Sequence, residues 1–110
     1  MIHKMRLNNK PFVKIKNGTK TIELRLYDEK RSLVKENDII VFKNRETKEK
    51  IKVKVKKLHK YDSFEELYKC FDKISLGYDE NEICSYKDME EYYTKEEEKY
   101  GVVGIEIELI

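Results

Sequence analysis

Apolar residues fall at two spacings along the chain, and the changes between them mark out its elements. Residues 2–6 read as a short strand. Asn8 or Asn9 can cap a helix with Pro11 in its first turn, which places Phe12 and Ile15 on one face. Asn17-Gly18 supplies the stop, with Gly18 taking the left-handed conformation. From Thr19 the period becomes two: Ile22, Leu24 and Leu26 alternate with Thr21, Glu23 and Arg25, which predicts a strand with one apolar and one polar face. Residues 28–35 form a polar connector with room for one helical turn. Two more strands are predicted over residues 38–44 and 50–59, joined by a polar turn at 45–49. Alternation breaks at Lys56-Lys57, where a bulge is expected. Ser63-Phe64-Glu65-Glu66 has the pattern of a capping box and precedes Leu67, Tyr68, Phe71 and Ile74, which predicts a helix. The acidic, Tyr-rich stretch 79–99 predicts one or two short helices, including residues 88–93 and 95–100. The chain closes with a strand over Val102–Leu109. Strands with helices inserted between them indicate a small α+β barrel.

A length of 110 residues fits one domain, residues 1–110, and at 39% hydrophobic and 42% charged the chain is polar but too regularly patterned for disorder. Apolar runs such as Ile39-Ile40-Val41-Phe42 are strand-sized, so no membrane span is expected. Met1-Ile2-His3-Lys4-Met5-Arg6 lacks the apolar core of a signal peptide. Cys70 and Cys84 make no disulfide framework, and neither they nor His3 and His59 have metal-ligand spacing. A reduced, cytoplasmic protein with no metal and no cofactor is expected, its oligomeric state left open. The formal net charge is only +2, but residues 1–60 carry 19 basic and 7 acidic residues, a balance of +12, against −10 over residues 61–110. Such asymmetry points to a polyanionic partner, often nucleic acid. The chain has no Ala and no Gln while being rich in Lys, Ile, Asn and Glu, so codon bias also contributes to the lysine excess.

The stretch from Asn17 to Arg25 carries the most chemistry. Lys20 sits at the helix–strand junction, where its stem can swing toward Glu23, and Thr21, Glu23 and Arg25 share a strand face. A Lys, a carboxylate and a guanidinium converging on one spot can bind a phosphate or a base edge, or move a proton. The same residues also fit a solvated face with an ordinary ion pair. Lys50, Lys52, Lys54 and Lys56 form a basic stripe suited to backbone phosphates, or simply to protecting a strand from aggregation. Tyr27, His59, Tyr61 and Tyr93 could stack on bases, though most of the eight tyrosines suit the edge of a core. Arg25 and Arg31 are two of only four arginines in a lysine-dominated chain, which hints at a need for a forked donor. Asn44-Arg45 is read as a turn close to the same cleft, and Cys70 as packed beside Phe71. Glu90, Glu91 and residues 96–98 suit the outer faces of helices, where they would aid solubility and repel nucleic acid from one side.

Gly18-x-Lys20-x-x-Glu23-x-Arg25, continued by Leu26-Tyr27-Asp28-Glu29-Lys30-Arg31, resembles the signature of the ASCH (activating signal cointegrator homology) domain family, a relative of PUA domains. The likeness is to small single-domain members from bacteria and archaea. It extends through residues 35–42, where Asn37 stands in place of the Gly many members carry, and through 64–68 and 92–105. The resemblance implies a PUA-like, mostly antiparallel β-barrel with peripheral helices and a cleft lined by the polar face of the 20–25 strand. It implies RNA or nucleotide binding; the ligand-binding candidates are then Lys20, Thr21, Glu23, Arg25, Arg31 and Tyr93, with Lys50, Lys52, Lys54 and Lys56 extending the backbone contacts. Some relatives hydrolyse N4-acetylcytidine nucleosides, using a Lys, a Thr and a separate Glu, and a ribonuclease activity is described for others. Lys20 matches that lysine, Glu23 occupies the threonine position, and the third residue has no counterpart. If the protein is an enzyme, Lys20 and Glu23 are the catalytic candidates. A third alternative is an adaptor that uses the acidic helices.

Overall fold

The computed structural model describes residues 1–110. Strict alternation makes β1 (Ile2–Leu7), which buries His3, Met5 and Leu7 and turns Lys4 and Arg6 outward. Helix α1 (Asn9–Lys16) buries Phe12 and Ile15, as their spacing requires. Asn8 is its boundary residue, but the Asn8 side chain does not cap it; Asn8 Oδ1 accepts from Arg45 Nη1 at 3.3 Å instead. Gly18, at φ +83°, stops the helix. Next come β2 (Ile22–Leu26), a single 3-10 turn over Arg31–Leu33, β3 (Ile39–Asn44) and β4 (Lys50–Tyr61), which bulges between Val55 and Lys57. Asn37 takes the left-handed conformation at φ 73° ahead of β3.

Helix α2 (Phe64–Tyr68) is capped by Ser63 Oγ, which accepts from the Glu66 amide at 3.3 Å. It ends five residues in, so Phe71 and Ile74 pack from turns rather than from a continued helix. The expected helices over 88–93 and 95–100 are 3-10 turns, at Tyr86–Glu91 and Glu97–Tyr100, before β5 (Val102–Leu109) closes the chain.

The five strands form one curled sheet in the order β1-β3-β4-β5-β2. Only β1 and β3 run parallel. This is an α+β, PUA-like half-barrel, and its unpaired edges are β1 and β2. Side chains bridge the gap between them: Arg25 Nη2 donates to Arg6 O at 2.9 Å, and Lys30 Nζ donates to Lys4 O at 3.1 Å. One core, including Phe12, Ile40, Phe42, Val53 and Ile105, fills the barrel; the other joins the apolar face of β2 to Phe64, Leu67 and Leu76. Asp38 pins the start of β1: Oδ2 lies 2.9 Å from His3 Nε2 and accepts from the Lys35 amide at 3.0 Å, while Oδ1 accepts from the N-terminal ammonium at 3.2 Å. No helix is long and apolar enough to cross a membrane.

Candidate functional site

The polar face of β2 is not solvated: the segment that follows α2 docks on the edge of the strand, and Arg25 reaches across to β1. The Thr21 and Ile22 amides donate to Ser75 O, each at 3.0 Å, which docks residues 75–78 on the start of the strand. Lys20, Glu23 and Arg25 are only 6%, 4% and 8% exposed. Lys20 Nζ donates to Leu76 O at 3.0 Å and lies 3.5 Å from Glu23 Oε1. Arg25 Nε donates to Glu23 Oε2 at 2.7 Å. Gly77 lies directly against Lys20: at φ +103°, a Cβ there would stand 3.0 Å from Lys20 Cδ and 3.4 Å from Nζ.

Burial acts against every charge in this triad, so the partners decide its state. Burial pushes the Glu23 carboxyl up, but Arg25 and then Lys20 outweigh it and hold the group below the usual carboxylate range. For Lys20, burial outweighs the attraction of Glu23 and lowers the ammonium below its ordinary value. For Arg25, burial is overcome chiefly by Glu23, and the guanidinium is held more firmly than usual. Arg25 Nη1 has no acceptor in the protein. The single buried side-chain N or O atom without a partner is Arg31 Nε, so Arg25 Nη1 keeps access to solvent.

The triad forms one wall of a cavity of about 310 Å³ between the start of α1 and residues 76–93. Tyr68, Tyr78, Tyr92 and Tyr93 line it, with Arg6, Arg45 and Lys10 facing Glu82 and Asp88 around it. Tyr78 Oη donates to Asp88 Oδ2 at 2.7 Å and lies 3.0 Å from Tyr68 Oη. Burial, then Tyr68 and Asp88, push the Tyr78 hydroxyl far above its ordinary value, so it stays protonated. Tyr93 stacks on Phe64 with centroids 5.6 Å apart. Lys10 and Lys14 tether the acidic side of the cavity, reaching Glu82 at 2.7 Å and Asp79 at 2.5 Å. Asp79, Glu82 and Asp88 thus hold the wall in place.

Of the residues expected at the site, Lys20, Glu23, Arg25 and Tyr93 meet in this cavity. Thr21 does not. It precedes β2, its carbonyl accepts from the Ile107 amide at 2.9 Å, and it lines a separate cavity beside Lys56 and Glu106. Arg31 is held by Asp28 at 2.9 Å and borders an outer groove that shares Arg25 but not the tyrosines. The lysine stripe is divided: Lys50 borders that groove, whereas Lys56 sits in the bulge itself, 3.8 Å from Glu106.

The other stacking candidates have structural roles. Tyr27 lies beneath the Lys60 ammonium at 4.5 Å, and His59 and Tyr61 pack edge-on to Phe71. His59 Nε2 is also 2.9 Å from Glu106 Oε1. Cys70 is exposed rather than packed. Tyr68, Gly77, Tyr78, Asp88 and Tyr92 were not anticipated; the concentration of tyrosines in the acidic half was their one trace in the sequence.

Residues 5–110 match the family model of the ASCH domain. The chain belongs to the ASCH domain family. Two solved structures share the whole ASCH fold. The crystal structure of hypothetical protein PH0355 is 39% identical, with all of both chains covered and a TM-score of 0.84. The solution NMR structure of protein PF0455 from Pyrococcus furiosus is 36% identical, covering 100% of this chain and 98% of its own, with a TM-score of 0.71. No curated protein matches the sequence.

Proposed function

We propose that this ASCH domain binds RNA or a nucleotide, with a nucleoside in the tyrosine-lined cavity and a phosphate or base acceptor on Arg25. The presentation of Arg25 carries the reading. Glu23 fixes Nε and Arg6 O fixes Nη2, which leaves Nη1 as a pre-aimed donor in the gap between β1 and β2. Preorganising a forked cation in this way reduces the entropy lost on binding a phosphate or a base edge. Glu23 acts as the positioning carboxylate. Lys20, nearly enclosed and bonded to Leu76 O, supports Glu23 rather than reaching a phosphate. Tyr92 and Tyr93 line the cavity and supply aromatic surface for a base. Arg25→Lys keeps the charge and loses the fork, so affinity for short RNA should fall about tenfold, the scale of one charge-assisted hydrogen bond. Fluorescence anisotropy at several salt concentrations measures this. Absence of salt-dependent binding to any RNA pool would sink the reading.

One observation supports a second reading, a hydrolase of a modified nucleoside such as N4-acetylcytidine. An amine with a lowered pKa lies beside a buried carboxylate in a partly enclosed cavity, an arrangement suited to proton transfer. Incubation with N4-acetylcytidine, and separately with RNA, tests it: the reading requires a product that disappears in Lys20→Ala.

A further inference from the structure

All four arginines of the chain line one groove. Arg6, Arg25, Arg31 and Arg45, with Lys4, Lys30, Lys43 and Lys50, surround a cavity of about 590 Å³ on the outer face of β1 and β3, whose only other lining residues are Met5 and Val41. No carboxylate borders it. Strand register places Arg6, Lys43 and Lys50 directly opposite one another across β1, β3 and β4. Like charges in directly opposed positions destabilise a sheet, so local packing does not explain this row. Nor does a lysine-rich composition. None of Lys4, Arg6, Lys30, Lys43, Arg45 and Lys50 has a carboxylate within 4.0 Å, and a bias toward lysine does not gather all four arginines in one place. Arg31 Nε is buried there without an acceptor.

Arg6, Arg25 and Arg45 also border the tyrosine-lined cavity, so the two concavities adjoin. We propose that the groove is a phosphate track for single-stranded RNA, which leads the strand's backbone away from a nucleoside seated in the cavity. Adjacent strands lie about 4.8 Å apart, so the row from β1 to β4 spans roughly 10 Å before its long side chains are counted. That is more than one phosphate fills, so a mononucleotide would leave most of the row unused. A duplex would not release an unstacked base to the cavity. The seated nucleoside rests on the reading of the cavity given above; the track rests on register and charge alone.

A length series separates the two. Anisotropy of labelled single-stranded RNA of two, four and eight nucleotides, titrated with the full chain, should show affinity rising with length. For the eight-mer, log K against log salt should have a slope near −2 to −3, since each neutralised phosphate contributes about −0.7 on single strands. Lys43→Glu combined with Lys50→Glu should weaken eight-mer binding at least tenfold and flatten the slope by about 1.4, while the dinucleotide changes little. Lys87→Glu with Lys95→Glu makes the same charge change on the exposed acidic side and should alter binding less than twofold. Circular dichroism checks that both variants fold. Equal losses in the two double variants, or affinity independent of length, would overturn the track. Competition by polyglutamate or duplex RNA as effective as that by single-stranded RNA would overturn the assignment to single strands. Unchanged binding in Arg25→Lys beside a loss in the Lys43/Lys50 variant would leave the track standing and remove the nucleoside cavity.

Discussion

Replacing Glu23 by Gln keeps the shape of the site and removes the one negative charge between two buried cations. Lys20 and Arg25 lie 3.5 and 2.7 Å from the carboxylate oxygens. At an effective dielectric of about 20, each attraction amounts to roughly 5 kcal/mol. Desolvation of each ion costs several kcal/mol, so the intact triad contributes little net stability. Removing one member is different, because the two cations then lose their counter-charge and retain their burial. The expected loss is about 3–5 kcal/mol, a fall in Tm of more than about 10 °C for a domain of this size.

The pH dependence identifies the cause. Without Glu23, burial lowers the Lys20 pKa still further, so the folded state binds fewer protons than the unfolded chain. Stability of the variant should therefore rise with pH below the ordinary lysine range as Lys20 becomes neutral. Urea unfolding followed by far-UV circular dichroism suits a chain without tryptophan. A Lys20→Met background should remove most of the pH-dependent deficit. A loss below about 1 kcal/mol that is flat from pH 6 to 10 would refute the picture of a buried, mutually supported triad.

Three further outcomes follow from single contacts. Asp38 is held at a pKa of about 2, first by His3 and then by the Lys35 amide and the N-terminus. The stability from this low pKa is present above pH 4 and lost as pH falls toward 2; Asp38→Asn should cost about 1–2 kcal/mol at neutral pH and flatten that acid limb in urea melts. Gly77→Ala should press on Lys20 and strain a positive φ, costing about 1–3 kcal/mol and weakening RNA binding; Gly18→Ala, with nothing within 4 Å, should cost about 1 kcal/mol and leave binding unchanged. Ser63→Ala removes the α2 cap and should cost about 1 kcal/mol in the same melts, with no effect on RNA affinity.

Local signals in the sequence determined the elements. The alternation at Ile22, Leu24 and Leu26, the stop at Gly18, the break at Lys56-Lys57 and the Ser63 cap are each written within a few residues, and each is where the chain expresses it. The triad was legible for the same reason, since Lys20, Glu23 and Arg25 are close neighbours in the chain. Its enclosure was not, because Lys20 is covered by Leu76 and Gly77 from more than fifty residues away and Arg25 is held by Arg6 across the gap between β1 and β2. Thr21 falls outside the cavity because the strand begins at Ile22, one residue after the alternation does. Only tertiary structure decided that β1 pairs in parallel with β3, and hence that Arg6 lies beside Lys43 and Lys50. Charge along the sequence counts every lysine equally. Folding paired Lys10 and Lys14 with the acidic half and left the groove without a carboxylate, because pairing depends on which surfaces meet.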